Sequence, residues 1–195
     1  MNYLKKIFLV IITFYFVSSS SYELAAMNDS LLKTQVLSVG QEIFKFNLLT
    51  DKGKDIKLND TCFKNTFIIL VSGYTCVKCI PELSEFLRDK FPLIQQKMIL
   101  HSHTSSILSN RELSIGYRKN TFVHNFLFDV AESTEGGCSL KNPCGIFKYL
   151  SIDISPSLIY INRNGELKYL PFDIIYPIAS GRIFNKGVFD NLVTE

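Results

Sequence analysis

The first pattern along the chain is an uninterrupted apolar run, "IFLVIITFYFV" from Ile7 to Val17, preceded by Lys5 and Lys6 and followed by the small and polar stretch "SSSSYELAA". A positive start, a short apolar centre and a small-residue end are the marks of a secretory leader. A run of eleven residues falls well short of the roughly 20 a membrane-spanning helix needs. Residues 1–26 are therefore expected to be a signal peptide cut after Ala26, with a cut within Ser18–Ser21 or a short uncleaved membrane anchor as alternatives. No cysteine lies near this segment, which argues against a lipid anchor. Residues 27–38 carry little periodicity and are expected to be a linker.

Regular patterning begins near Val39. "EIFKFNLL" alternates, "TDKGKD" turns at Gly53, and "IKL" returns, which predicts a β-hairpin. "TFIILVSG", from Thr66 to Gly73, is nearly all apolar, as a strand buried on both faces is. Ile80, Leu83, Leu87 and Phe91 then recur at spacings of three and four, with Glu82, Glu85, Arg88 and Asp89 between them. That is an amphipathic helix, and Pro81 falls in its first turn, where a missing amide hydrogen costs least. "KMILHSH" reads as a strand, residues 105–120 as a polar helical connection, and "FVHNFLFD" as another strand. "AESTEGGCSLKNPCG" is a loop by composition, and "IFKYLSI" a short helix or turn. "SPSLIYINRNGELKYL" predicts two strands joined at Asn164-Gly165. Beyond Pro171 the pattern weakens, and "SGRIFNKGVFDNLV" is expected to be a final amphipathic helix, with 181–195 a C-terminal helix or tail. Strands alternating with helices and closed by a hairpin imply an α/β domain over 39–180, a mixed sheet covered on both faces.

Composition narrows the function. A hydrophobic fraction of 47% with 20% charged residues is ordinary globular usage. Sixteen Phe and nine Tyr, with no Trp, point to a core built largely on phenylalanine. A net charge of +3, spread along the chain, gives no reason to expect a nucleic-acid partner.

The chemistry is carried by "GYTCVKCIPEL". Two cysteines spaced by two residues can be a redox dithiol, half a zinc site or an inert disulfide. At the junction of a buried strand and a helix, the helix N-terminus stabilises a thiolate on Cys76, and Lys78 adds positive charge. Cys76 is thus the candidate nucleophile and Cys79 the resolving thiol of an exchange through mixed disulfides. Zinc would need two further ligands at short spacing. Cys138 and Cys144 are five residues apart, and His101, His103 and His124 are scattered and read as polar residues in or beside strands, so no metal or cofactor is expected. The inert disulfide stays open. Cys138 and Cys144 are expected to form a local structural disulfide, with free thiols or an electron relay as alternatives. Cys62 is the odd one, expected to be a small buried hydrophobe, with a relay or intermolecular pairing as its alternative. Pro156 must stand at the first position of its strand or in a special turn, because a proline cannot lie inside a ladder.

"VSGYTCVKCIPEL" resembles the strand–Cys-x-x-Cys–helix element of the thioredoxin superfamily, and "SPSLIYINRNGEL" its cis-proline loop and closing hairpin. "VGQEIFKFNLLTDKGKDIKLND" is similar to the extra N-terminal hairpin of the redoxin, TlpA-like branch of the bacterial envelope. The resemblance runs over residues 39–172. It implies a thioredoxin-like fold, a cis Pro156 against the Cys76–Cys79 disulfide, and substrate contacts from Ser155, Pro156 and Tyr74. It further implies a thiol–disulfide oxidoreductase in the periplasm or cell envelope, acting in the reducing direction on protein thiols and disulfides. A membrane or soluble redox partner would recycle its dithiol. Tyr74 and Thr75 hold the places where most members carry a tryptophan, and the central dipeptide is Val77-Lys78. A peroxiredoxin would carry Thr or Ser three residues before its nucleophile, where this chain has Gly73, and Sco-type copper delivery would need a wider cysteine spacing. A non-enzymatic binding or scaffold protein of the same fold, holding a metal, is the second reading.

Overall fold

The computed structural model describes residues 37–38, 41–72, 75–102, 107–130, 145–190 and 192–193. Eight strands form one mixed sheet: β1 (Leu37–Ser38), β2 (Asn47–Thr50), β3 (Asp55–Lys57), β4 (Thr66–Val71), β5 (Gln95–Ser102), β6 (Asn125–Val130), β7 (Ser157–Ile161) and β8 (Leu167–Leu170). Their order across the sheet is β1-β8-β7-β4-β5-β6-β2-β3. β4 lies at the centre, parallel to β5 and antiparallel to β7, with Ile69 opposite both Met98 and Leu158. All six of its side chains are buried, which is why its sequence does not alternate.

Two helices make the crossovers between parallel strands. α1 (Cys79–Lys90) joins β4 to β5 and α2 (Ile107–Arg118) joins β5 to β6. α1 starts as the spacing predicts and buries Ile80, Leu83 and Leu87; each is worth about 1.5–3 kcal/mol of transfer from water. One polar residue fastens it to the sheet. Buried Ser84 donates to the Gln96 side chain at 3.0 Å and accepts the Phe122 amide at 3.2 Å.

The sheet separates two apolar layers. On one face Ile68, Leu70, Ile99, Leu127, Ile159 and Tyr169 pack with Phe63, Ile43 and the short α3 (Gly145–Tyr149). The phenylalanine-rich core expected from composition lies around Phe67, which packs at a tilt against Phe91 and Tyr160, and in a ring cluster of Phe86, Phe184, Phe189 and Tyr176.

The hairpin predicted before β4 is present as β2 and β3, with Gly53 at φ 76° in its turn. It is shorter than the alternation suggests, because Gln41–Lys45 coils into a 3-10 helix and only Asn47–Thr50 pairs. The closing hairpin β7–β8 turns on Gly165 at φ 89°, and Asn162 bonds the Glu166 amide and carboxylate across the turn. Among the described residues the C-terminal stretch forms short turns in place of the expected helix. Helix α4 (Phe172–Ile175) is a single turn, and Ile178–Ser180 and Lys186–Phe189 are 3-10 turns. Gly181, at φ 68°, breaks the run, and Gly187 weakens it. Among the described residues no helix is long and apolar enough to cross a membrane; the expected leader and linker up to residue 36 lie outside them.

Candidate functional site

β4 ends at Val71, and the chain passes to a bridge at Thr75 before turning into α1. Cys76 sits on that turn, half-buried, and its carbonyl accepts the Cys79 amide at 3.0 Å. Cys79 is the first residue of α1, 8% exposed. The two cysteines are joined as a disulfide with Cα atoms 5.2 Å apart. Helix α1 therefore begins at the second cysteine, and Cys76 lies one turn ahead of it. Lys78 stands at the N-cap position with its side chain exposed beside the pair.

The second loop of the site comes from the start of β7. The Ser155–Pro156 peptide is cis, and both residues are buried. The Ser155 carbonyl accepts the Cys76 amide at 2.9 Å, and the Thr75 and Ser155 backbones form a parallel bridge. The Ser155 hydroxyl completes the join. It accepts the Ser72 amide at 2.9 Å and donates to the Thr75 hydroxyl at 2.9 Å, while that hydroxyl donates to the Ser155 carbonyl at 3.3 Å. Residues 80 positions apart in sequence are thus held in register at the end of the central strand. Tyr74, Cys138 and Cys144 lie outside the described residues.

Thr75, in a place where the thioredoxin pattern carries tryptophan, is itself part of the join between the two loops. Two others join the surroundings. The hydroxyl of buried Tyr176 lies 3.0 Å from the Cys79 carbonyl and 3.2 Å from a Glu82 carboxylate oxygen, so its proton serves the first turn of α1. Burial, reinforced by the Glu82 charge, raises its pKa well beyond the ordinary tyrosine range and keeps it a donor. Asp129 is, among the described residues, the one buried carboxylate. It lies on β6 opposite His101 of β5, at the same end of the sheet as Cys76. Burial pushes its pKa up to about 6, against the pull of the Phe147 and Ile146 amides at the start of α3.

Cys62 does not match its expectation. It is a free, exposed thiol in the 3-10 turn Thr61–Phe63. A single turn sends one of its three side chains inward, and Phe63 takes that place. His101 is buried in β5 with its ring tilted against Phe147, and His124 is exposed ahead of β6. Among the described residues no group of three or more His, Cys, Asp or Glu is arranged to hold a metal.

Compared with known proteins, the chain matches no family model and no curated protein. Solved structures do show likeness. An uncharacterized thioredoxin-like protein from Porphyromonas gingivalis is 15% identical over 70% of this chain and 87% of its own, with a TM-score of 0.45. A secreted Mycobacterium tuberculosis disulfide oxidoreductase, described as homologous to E. coli DsbE, is 14% identical over 67% and 86%, with a TM-score of 0.40. An exposed lipoprotein thioredoxin from Streptococcus pneumoniae is 17% identical over 65% and 87%, with a TM-score of 0.39. The chain's own geometry names the architecture. A central strand running into a Cys-x-x-Cys and a crossover helix, with a cis-proline loop bonded to the first cysteine and a closing hairpin, is a thioredoxin-like α/β fold.

Proposed function

We propose that this chain is an extracytoplasmic thiol–disulfide oxidoreductase that exchanges disulfides with protein substrates through Cys76 and Cys79. One observation carries the reading: the two cysteines form a disulfide at the head of α1 with unequal access, Cys76 half-buried and Cys79 almost fully so. Unequal access suits unequal roles. In the reduced chain the Cys76 thiolate attacks one sulfur of a substrate disulfide. A mixed disulfide forms, and the other substrate sulfur leaves as a thiolate that takes up a proton. The Cys79 thiolate then attacks Cys76 Sγ, releases the second substrate thiol and restores the Cys76–Cys79 disulfide, so two electrons pass to the substrate. A membrane or soluble redox partner holding a dithiol returns them.

The position of Cys76 ahead of a helix N-terminus, with exposed Lys78 beside it, supports its role as nucleophile. Ser155 and Pro156 frame the cysteine and are assigned to the substrate site together with Tyr74. The reducing direction and the envelope location rest on the TlpA-like resemblance and on the leader-like residues 1–26. We assign residues 27–38 as linker, 39–180 as the working domain, and Cys138 and Cys144 to a structural disulfide.

The Cys79→Ser variant tests the reading, since it has no thiol to resolve the first intermediate. Expressed in its native compartment, it should accumulate mixed disulfides between Cys76 and other proteins, resolved by non-reducing electrophoresis and mass spectrometry. Failure to trap any, beside a control oxidoreductase that does, would favour the scaffold reading. The reduction potential of the Cys76–Cys79 couple decides direction; a value well above that of the envelope's other dithiols would reverse it.

A further inference from the structure

α2 is built inside out. The side chains it turns toward the sheet include buried Asn110 and Ser114, satisfied by a 2.6 Å bond from Ser102 and by the Arg111 carbonyl at 2.8 Å. Its outer side carries Leu108 at 73% exposure and Ile115 at 49%, and Leu113, 42% exposed, lies on the flank toward the first turn of α1. An ordinary crossover helix has the opposite polarity. Leu113 is the one of the three that lies beside the redox helix, and an exposed apolar side chain at the edge of a cavity marks a surface that meets something.

Where α2 approaches the first turn of α1, the two helices leave a cavity of about 350 Å³ lined by Val77, Ile80, Pro81, Leu113, Gly116 and Tyr117. Val77 is 73% exposed and follows Cys76 directly, so the cavity opens beside the redox pair. A protein segment joined to Cys76 by a mixed disulfide and running toward Val77 brings a neighbouring side chain to this spot, since an extended chain advances roughly 3.3–3.6 Å per residue. The wall is mostly apolar, with Glu112, Asn120 and Thr121 also in its lining, and the half-buried Tyr117 hydroxyl makes no hydrogen bond among the described residues. Such a site takes an aliphatic or aromatic side chain, offers one polar group to the segment's backbone, and repels a carboxylate.

We infer that this groove is the specificity subsite of the exchange reaction, holding an apolar side chain that lies within two residues of the substrate's reacting cysteine. The inference rests on the exchange reading above. Its occupant is an extended segment of a protein substrate, distinguished from polar and acidic segments by that side chain.

Gly116 provides the test. A Cβ built there meets nothing within 4 Å, so alanine fits without a clash and a longer side chain projects from a groove-lining position. Two peptides, each a mixed disulfide with glutathione, would differ only in Leu or Ser after the cysteine. The rate of exchange of each is measured with the reduced full chain, with Gly116→Ala and with Gly116→Leu, alongside oxidised glutathione as a disulfide without side-chain demands. The parent and Gly116→Ala should prefer the leucine peptide by about tenfold. Gly116→Leu should reduce that ratio to about twofold or less. Equal rates for the two peptides with the parent, or a ratio unaffected by Gly116→Leu, would overturn the subsite. So would a dimer seen by light scattering that Gly116→Leu disrupts, which would give the face to a second copy of the chain. No exchange with oxidised glutathione by the parent would sink the redox reading itself, and the subsite with it.

Discussion

At the residue scale, the Asp129 carboxylate sits among apolar side chains opposite His101, and burial raises its pKa from 3.8 to about 6. The folded chain therefore binds this proton more tightly than the unfolded chain. Stability from Asp129 is full below about pH 4 and is lost as pH rises through 6, by up to about 3 kcal/mol. Asp129→Asn keeps the shape and removes the titration. Urea unfolding at pH 4.5 and pH 7 should show the variant gaining on the parent as pH rises; a constant difference would mean that Asp129 is not desolvated. Gly145, the first residue of α3, holds φ at +58°, and a Cβ there would run into the same carboxylate. Gly145→Ala should therefore cost more than the roughly 1–2 kcal/mol of a left-handed alanine, read as a drop in melting temperature.

At the scale of elements, the strand–turn–helix around the cysteines makes its own forecast. Brief alkylation of the reduced chain at near-neutral pH, followed by mass spectrometry, should label Cys76 and spare Cys79, with exposed Cys62 as an internal reference for an accessible thiol. Preferential labelling of Cys79 would reverse the two roles. Replacing Ser155 by Ala removes the hydroxyl that ties the proline loop to Ser72 and Thr75. The loss should be about 1–3 kcal/mol in unfolding free energy. These elements were legible because their signals are local. The apolar run of β4, the three-and-four spacing of α1 and the Asn-Gly turn of β7–β8 each lie within a dozen residues. What joins them was not. Tyr176 reaches the Cys79 carbonyl across 97 positions, and nothing near either residue announces it. The polar sequence of α2 was readable as helix, but which side faces the sheet was not, because its inward face is the polar one. The C-terminal turns failed for the reverse reason: a helical spacing of apolar residues was present, and glycine at 181 and 187 prevented the helix that would use it.

For the whole molecule, Cys138 and Cys144 test how the fold holds together under oxidising conditions. With Cys138 and Cys144 both changed to Ser, the oxidised chain should lose about 2–4 kcal/mol of stability at most, while disulfide exchange at Cys76 stays near the parent rate. Melting and activity measured on that one variant separate a structural bridge from an electron relay, which would instead abolish turnover with a physiological donor. The sheet carries a last consequence at its outer strand. β3 has three residues, it presents Asp55 and Lys57 to solvent, and the Lys57 amide is taken by the Asp60 carboxylate at 3.2 Å. A strand so short and charged, with one amide already capped, is a poor template for another chain. Substrates are thereby denied β-augmentation along this edge, and neighbouring copies cannot polymerise through it, so a partly unfolded client that meets β3 at high concentration is steered away from forming a shared sheet there.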